Sequence, residues 1–265
     1  MDTLQSIIIA IVEGITEFLP ISSTAHMKFT NPLIGVTNTP FVDMYEIVIQ
    51  LAAILSVVTI YYKKFFDFKH YSFYVKLVVA VIPALIGGFF LKKYIEGALT
   101  NLTFIAGVMI AGGIILLFVD KLFMNSTISE EEKISYPKAF IIGCFQVLSI
   151  VFPGLSRSAA TIIGGMSQKL TRSVAAEFSF FLAVPTMLAA SAKSFLDVYK
   201  EHKEVLVKDN FIILGLGAVI AYFVALLAVK FFIGYLQKHG FRIFGWYRIA
   251  LGIIVLILLQ QGLIK

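Results

Sequence analysis

The chain carries six apolar stretches that are each long enough to cross a membrane as a helix. A hydrocarbon core of ~30 Å is spanned by about 20 consecutive apolar residues. Backbone groups in lipid must find hydrogen bonds within their own segment, so such stretches fold as helices. Charged residues make up 14% of the sequence and the mean hydropathy is +0.91, whereas soluble domains carry about 25% charged residues. The sequence therefore predicts an all-helical integral membrane protein. The six predicted spans cover residues 41–62, 75–91, 104–123, 174–195, 211–232 and 243–259.

Two further apolar segments are interrupted by proline and polar residues and are too short to span the membrane in one piece. Residues 3–29 are broken at Pro20, and residues 139–166 are broken at Pro153. We predict that each forms a re-entrant helical hairpin, which enters and leaves the membrane on one face. Irregular backbone at this depth is tolerated only where it is buried in protein or lines a cavity. Each break is therefore a candidate site.

The two halves of the chain resemble each other at a spacing near half its length. The pattern E-x6-P-x2-S at residues 13–23 corresponds to Q-x6-P-x2-S at 146–156, and IAGGII at 110–115 corresponds to IALGII at 249–254. Each half would hold one hairpin and three spans, and this odd number of crossings inverts the second half relative to the first. The sequence thus predicts a single membrane domain with inverted repeats at approximately 1–125 and 136–265.

Lysine and arginine predict the orientation of the chain. Of the 22 basic residues, more lie on the membrane side opposite the N-terminus, where Arg248 is placed, than on the N-terminal side. By the positive-inside rule the richer side is cytoplasmic, and both termini face outward. The charged loop 129–133 would then be a solvated connection, and Cys144 a small buried apolar residue. The net charge of +6 lies at the ends of spans, where it meets anionic lipid head groups rather than nucleic acid.

Glu13 and Glu17 lie inside the first interrupted segment, with no basic residue near them in sequence. Their i, i+4 spacing places both on one helical face. Two carboxylates so close repel each other, which favours a shared cation or proton, or else a buried hydrogen-bonding pair. An ionisable group at bilayer depth costs at least ~2.5–3.5 kcal/mol and is kept mainly for function. We therefore expect both residues in a site.

Hydroxyl side chains follow the break at Pro20. Ser22, Ser23 and Thr24 stand where a second half-helix begins, and the exposed amides and dipole of such a start attract anions. The same hydroxyls also serve as ordinary N-caps. His26 lies about one turn beyond Ser23. It is either a proton carrier or nucleophile toward a phosphate, or a hydrogen-bonded structural histidine.

The second break carries a cation. Arg157 lies between Ser156 and Ser158 and follows Gly154. A guanidinium beside the amides of a helix start can grip a phosphate through two parallel hydrogen bonds, although an arginine can also extend toward the membrane interface. Gln50 is a polar residue within a span, which either reaches the site or bonds to another helix. Together the two breaks suit a phosphate ester or anhydride carried on a lipid.

A secondary transporter or lipid flippase is the alternative function. Inverted repeats, broken helices and buried carboxylates also occur in transporters. Glu13, Glu17 and His26 would then relay protons, and Arg157 would bind an anionic substrate. The serine cluster opposite an arginine favours phosphoryl chemistry.

Two motifs resemble the signatures of a known family. EGITEFLPISSTAH at residues 13–26 and PGLSRSAAT at 153–161 are similar to the two signatures of the undecaprenyl-pyrophosphate phosphatases of the bacitracin-resistance type. Segments 46–55 and 175–188 also resemble family segments, so the resemblance covers essentially the whole chain. Ala52 departs from the pattern, since many members have glycine there, but it lies outside the polar set.

The resemblance implies an enzyme of the bacterial plasma membrane that hydrolyses undecaprenyl diphosphate to the monophosphate and inorganic phosphate. That reaction recycles the lipid carrier of cell-wall synthesis and opposes bacitracin. A divalent cation, Mg²⁺ or Ca²⁺, is implied, with Glu13 and Glu17 as its ligands or as the general base. Arg157 would clamp the diphosphate at a site open to the extracytoplasmic face. The nucleophile stays open between Ser23, His26 and water, as does a homodimer packed through glycines. The expected catalytic residues are Glu13, Glu17, Ser23, His26 and Arg157, and the expected substrate-binding residues are Ser22, Thr24, Gln50, Gly154, Ser156 and Ser158.

Overall fold

The computed structural model describes residues 1–264, except for the side chains of Lys92 and Gln237, and this part of the chain is built from α-helices. No strand occurs within it, which confirms the prediction of an all-helical protein. In chain order the α-helices are α1 (Thr3–Thr16), α2 (Ser23–Leu33), α3 (Pro40–Ile60), α4 (Tyr62–Phe65), α5 (Tyr71–Phe90), α6 (Lys92–Leu99), α7 (Leu102–Leu122), α8 (Tyr136–Val151), α9 (Arg157–Ser167), α10 (Arg172–Glu201), α11 (Lys208–His239) and α12 (Arg242–Gln260).

Six of the described helices are long and apolar enough to cross a membrane, and they coincide with the six predicted spans. They are α3, α5, α7, α10, α11 and α12. Helices α10 and α11 extend beyond the predicted segments, to 30 and 32 residues, because polar residues at their ends continue the helix past the apolar stretch. The short helices α4 and α6 each follow a span directly and lie outside the predicted segments. The chain is a multi-pass membrane protein.

Each interrupted segment forms two short helices separated by a break. Residues 17–22 separate α1 from α2, and residues 152–156 separate α8 from α9. The breaks end alike, because each N-cap is a serine with a positive φ, 72° at Ser22 and 77° at Ser156, and each opens an 11-residue helix. The caps thus pair Ser22 with Ser156, whereas the sequence motif pairs Ser23 with Ser156. This likeness favours re-entrant hairpins and an inverted repeat, which stay predictions.

Both interrupted segments pack against the spans. Helix α1 packs against α3 and α11, α2 against α7, α8 against α5, and α9 against α8 and α10. One close approach of two backbones is at Gly143 in α8, where an added Cβ would clash with the Ala80 carbonyl oxygen of α5. Such backbone contact is typical of membrane helix pairs, which associate by close packing. The largest buried cluster includes three phenylalanines of α10, Phe178, Phe180 and Phe181.

The charged loop 129–133 is not simply solvated, and that prediction is wrong for Glu131. This residue is buried, and its carboxylate pairs with Lys64 Nζ at 2.7 Å. Lys76 is also buried and donates to the backbone carbonyls of Glu131 and Glu132 at 3.2 and 2.9 Å. Burying a charged amine is costly unless it is paired and hydrogen-bonded. These contacts therefore fasten the loop onto α5.

Two further predictions are wrong. Cys144 is exposed on α8 rather than buried. Arg248, counted among the basic residues of the membrane surface, is completely buried. Helix α12 already begins at Arg242, so Arg248 lies about 9 Å further along the helix axis, inside the span. The orientation of the chain stays a prediction, and two residues on which it relies, Lys265 and the side chain of Lys92, lie outside the described part.

Candidate active site

The two breaks are in direct contact, although they are far apart in sequence. Arg157 Nη2, at the start of α9, donates to Glu17 Oε1, at the end of α1, over 2.8 Å and across 140 residues of sequence. The Ser158 hydroxyl donates to the Leu19 carbonyl at 3.0 Å. Both contacts join a residue of one interrupted segment to a residue of the other. The two halves of the chain therefore build one site.

A cavity of about 80 Å³ is lined by residues of both breaks. Since one water molecule needs about 10–15 Å³ of such space, this volume accommodates a phosphoryl-sized group and leaves no room for a polyprenyl chain. All of the residues that line this cavity, except Met187, were predicted from the sequence as site residues. Of the two interpretations of Gln50, its place in the wall favours contact with the site. The lining residues are Glu17, Ser22, Ser23, Thr24, Gln50, Ser156, Arg157 and Met187.

Glu17 is the centre of the hydrogen-bond network. Its Oε1 accepts from Arg157, and its Oε2 accepts from the Ser23 hydroxyl at 2.5 Å. The Arg157 guanidinium is held from the other side, because Nη1 donates to the Ser179 carbonyl at 3.2 Å. A carboxylate that accepts from a guanidinium and a hydroxyl is fixed in place by these hydrogen bonds. An acid, a hydroxyl and a cation thus meet at the wall of one cavity.

Glu13 has the opposite environment. It is completely buried, and no donor reaches either of its carboxylate oxygens. The neighbouring charged groups are Glu17 and Glu46, both acidic, and Arg157, and the Glu17 carboxyl group is close enough to share a proton with Glu13. Glu46 is neutralised separately, because Asn31 donates to its Oε1 at 2.7 Å and Lys28 pairs with its Oε2 at 3.0 Å. Glu13 is therefore the acid of this site that still requires a proton or a cation.

The serines at the two breaks mainly cap helices. Ser22 Oγ accepts from the Ala25 amide at 3.3 Å, and Ser156 Oγ accepts from the Ala159 amide at 3.2 Å. The Ser156 and Ser158 hydroxyls lie 2.9 Å apart. Since Ser158 donates its only proton to the Leu19 carbonyl, Ser156 is the donor in this pair. Of these hydroxyls, Ser23 is the one that contacts an acid.

His26 is held through both ring nitrogens. Its Nδ1 lies 2.7 Å from the Ser22 carbonyl oxygen, and since a carbonyl only accepts, Nδ1 carries the proton. In the neutral ring Nε2 is then an acceptor, and it lies 2.8 Å from the Tyr247 hydroxyl. The two rings stack with their centroids 5.6 Å apart. Ser23 is not among these partners. The structural interpretation of His26 is therefore favoured over a role as nucleophile.

Gly154 supports the second break rather than the cavity wall. Its φ is +98°, and an added Cβ would lie 2.7 Å from the Ile105 carbonyl oxygen, so only glycine fits without strain. Its carbonyl accepts from Arg248 Nη2 at 2.8 Å. Gly154 was predicted to bind substrate, but its contacts are with the protein.

Helix α12 supplies two residues that the sequence interpretation missed, Tyr247 and Arg248. Tyr247 holds His26, and the Arg248 guanidinium donates to carbonyls of both breaks. One signal was available: Arg248 is a charged residue within an apolar stretch, and such residues are functional candidates by default. It was instead counted with the charges at the end of the span.

Residues 6–254 match the family model described as bacitracin resistance protein BacA. The chain belongs to the BacA family. The matched region contains both breaks and every residue of the site, so the BacA match and the geometry concern the same part of the chain. It also includes Tyr247 and Arg248 of α12.

Curated relatives of this BacA-family chain match over nearly its whole length. A protein of Flavobacterium johnsoniae named undecaprenyl-diphosphatase is 51% identical, over 97% of this chain and 96% of its own length. A protein of the same name from Porphyromonas gingivalis is 46% identical, over 99% of this chain and 98% of its own. Another protein of this name, from Bdellovibrio bacteriovorus, is 43% identical, over 99% of this chain and 98% of its own length.

Proposed function

We propose that this chain hydrolyses undecaprenyl diphosphate to undecaprenyl phosphate and inorganic phosphate. The curated relatives bear the name of this activity. The observation that carries the proposal in this chain is the contact of Glu17 with both Ser23 and Arg157 at one cavity. The reaction would return the lipid carrier to cell-wall synthesis and remove the diphosphate that bacitracin sequesters.

Arg157 is the anion clamp in this proposal. Its guanidinium lines the cavity and is oriented by Glu17 and by the Ser179 carbonyl. The N-terminal residues of α2 and α9 line the same cavity, and helix starts offer amide hydrogens and a positive dipole end to an anion. Because the cavity is small, the diphosphate head would enter it while the prenyl chain extends outward into lipid. Stabilisation of the charge that grows on the leaving phosphate is the main catalytic effect expected here.

Ser23 is the nucleophile that the geometry favours, with Glu17 as its base. Ser23 Oγ bonds to the terminal phosphorus, its proton passes to Glu17, and the bridging P–O bond breaks. Glu17 then gives this proton to the departing undecaprenyl phosphate. A water molecule then attacks the phosphorus of the phosphoserine, and Glu17 accepts a proton from that water. The bond between Ser23 Oγ and phosphorus breaks, Glu17 returns the proton to Ser23 Oγ, and inorganic phosphate leaves. Attack by water in place of Ser23 would use the same base.

The carboxylates fit a divalent cation, with Glu13 as its principal ligand. Glu13 has two buried oxygens without donors, whereas both oxygens of Glu17 already accept hydrogen bonds. Among the described residues no group of three or more His, Cys, Asp and Glu is placed to hold a metal. Mg²⁺ is often bound by only one or two carboxylates together with substrate phosphates and water. A bound Mg²⁺ or Ca²⁺ would add positive charge at the diphosphate.

We further propose that the chain lies in the bacterial plasma membrane with its termini and site toward the extracytoplasmic face, as its basic residues suggest. Three of the four glycines that suggested a homodimer are used within the protomer, since Gly87 faces Val147, Gly112 faces Arg248, and Gly113 packs against the backbone of α12. A Cβ added at the fourth, Gly88, would meet nothing within 4 Å. The homodimer stays a prediction.

Phosphate release by purified protein in detergent tests the function. We expect release from undecaprenyl diphosphate that EDTA abolishes and added Mg²⁺ or Ca²⁺ restores. Glu17→Gln keeps the shape of the side chain but removes the base, and we expect a loss of about 10²–10⁴-fold. Glu204→Gln, at an exposed glutamate of a connecting loop, is the matched control and should behave as wild type.

A well-folded protein that releases no phosphate would contradict the proposal. The same residues would then belong to a transport pathway, and movement of a phosphorylated lipid across vesicles would be the next measurement. Detergent removes any gradient, so turnover there separates the enzyme from a transporter.

A further inference from the structure

We propose that Arg248 is a positioning residue, which ties the two breaks together and so sets the distance between Glu17 and Arg157. This inference rests on the proposed phosphatase function. It concerns a residue that touches neither the cavity nor the reacting groups. The guanidinium acts through the backbone that it holds.

The contacts of Arg248 span both halves of the chain. Nη1 donates to the carbonyl of Pro20 in the first break at 3.1 Å and to that of Leu155 in the second at 2.8 Å. Nη2 donates to the Gly154 carbonyl at 2.8 Å, and Nε donates to the Met109 carbonyl of α7 at 3.2 Å. One side chain of α12 thus joins three separate parts of the chain. The guanidinium fork suits this task because its five donors lie in one rigid plane.

The breaks that Arg248 holds carry the catalytic contact. Pro20 lies between Glu17 and Ser23, and Leu155 lies two residues before Arg157. Neither segment has regular hydrogen bonding of its own at these carbonyls, so their positions depend on an external donor. A displacement of about 1 Å in catalytic geometry can cost 10²-fold in rate. Release of either carbonyl is therefore expected to loosen the contact between Glu17 and Arg157.

The charge of Arg248 also matters. The side chain is completely buried, and all four of its hydrogen-bond acceptors are neutral carbonyls. A neutral donor could serve as a purely structural tie, and an uncompensated buried cation is costly. His26 senses the Arg248 charge, which places that charge within electrostatic range of the site. The protein thus keeps a buried cation beside the two breaks, near the cavity in which an anionic diphosphate is expected.

Gly112 provides the space for this arrangement. A Cβ added at this position would overlap Arg248 Nη2, and the Leu155 side chain would lie 3.2 Å away. Gly112→Ala therefore displaces the guanidinium without removing it. Gly107 lies on the same helix, and an added Cβ there meets nothing within 4 Å. Gly107→Ala is the matched control.

The test combines kinetics with a distance that does not depend on activity. Arg248→Lys, Gly112→Ala and Gly107→Ala would be purified, and kcat, KM and Tm measured with undecaprenyl diphosphate. Spin labels on the native Cys144, exposed on α8, and on Leu33→Cys, at the exposed end of α2, report the separation of the two interrupted segments. Arg248→Lys would also be combined with Arg157→Lys.

Positioning predicts that Arg248→Lys and Gly112→Ala each lower kcat by roughly 10²-fold, with a smaller change in KM. The label distance should shift or broaden in both variants but not in Gly107→Ala. The double variant should cost less than the product of its single effects, because both residues act on one contact.

Near-normal kcat and an unchanged label distance in both variants would overturn the proposal. The proposal would also be overturned if the activity of the two variants fell only in proportion to their loss of folded protein. If wild-type protein releases no phosphate, the proposed function fails, whereas the label distance still decides whether Arg248 holds the breaks together.

Discussion

The Ser23 hydroxyl donates a hydrogen bond to Glu17 Oε2 over 2.5 Å. This short contact joins the first residue of α2 to the end of α1 across the break that contains Pro20. A hydroxyl bound to a carboxylate is prepared to lose its proton to that base. Substitution of Ser23 can therefore test whether its hydroxyl is the nucleophile.

Ser23→Ala should lower kcat by at least ~10²-fold, because it removes the attacking hydroxyl while Glu17 keeps its bond to Arg157. Rapid quenching of wild-type enzyme with substrate labelled on the terminal phosphorus should trap label on Ser23. Ser22→Ala is the comparison, since the Ser22 hydroxyl caps α2 and should carry no label. Near-normal turnover by Ser23→Ala would assign the attack to water.

Arg157→Ala should lower kcat by about 10²–10³-fold, as expected for loss of one preorganised donor to a developing charge. Arg157→Lys should restore only part of the rate, because lysine cannot reach Glu17 and the Ser179 carbonyl with a planar fork. Arg172→Ala, which breaks a pair with Asp120 at 2.6 Å elsewhere in the chain, is the control. An Arg157→Ala enzyme with normal kcat/KM would rule out the clamp.

Glu13→Gln should remove activity while keeping or raising thermal stability, because it replaces an unpaired buried carboxylate with a neutral amide. A ligand at 100 times its Kd stabilises a fold by about 2.7 kcal/mol. Added Mg²⁺ or Ca²⁺ should therefore raise the Tm of wild-type protein and leave that of Glu13→Gln unchanged. An equal rise in both proteins would show that Glu13 does not hold the cation.

Tyr247→Phe should lower kcat by no more than about tenfold, since one hydrogen bond contributes roughly 0.5–1.5 kcal/mol. His26→Asn should have a similarly small effect if the ring serves to hold the Ser22 carbonyl. Tyr222→Phe removes another interhelical tyrosine contact, with Thr59 at 2.8 Å, and is the control in activity and Tm measurements. A loss of 10²–10⁴-fold in His26→Asn would instead indicate acid–base catalysis.

The six spans could be predicted because hydropathy and length are properties of a single segment. A helix in lipid satisfies its own backbone, so no partner needs to be known before the segment is recognised. The breaks were recognisable for a similar reason, since Pro20 and Pro153 exclude a continuous helix. The largest differences are at the ends of the longest helices, where polar residues such as Lys208 and Glu201 continue the helix past the apolar run.

The contacts within the site could not be predicted in the same way. Glu17 and Arg157 are 140 residues apart, and no local pattern states that two distant breaks meet. The motifs assigned both residues to one site by their chemistry, but they did not predict that the two side chains contact each other. Arg248 shows most clearly what a single sequence cannot predict. A count of basic residues by their position along the chain does not distinguish a buried arginine from one at the membrane surface.

The positive φ of Ser22 and Ser156 places two conflicting demands on a single residue type. Glycine would adopt these angles freely, whereas a side chain there costs about 1–3 kcal/mol. A glycine, however, has no oxygen to receive the amides of Ala25 and Ala159. Replacing either serine with glycine should therefore make the backbone easier to fold and the start of the helix looser. Both breaks have serine, the residue with the more strained backbone at this angle. This indicates that a well-capped helix start matters more to the protein than an unstrained backbone.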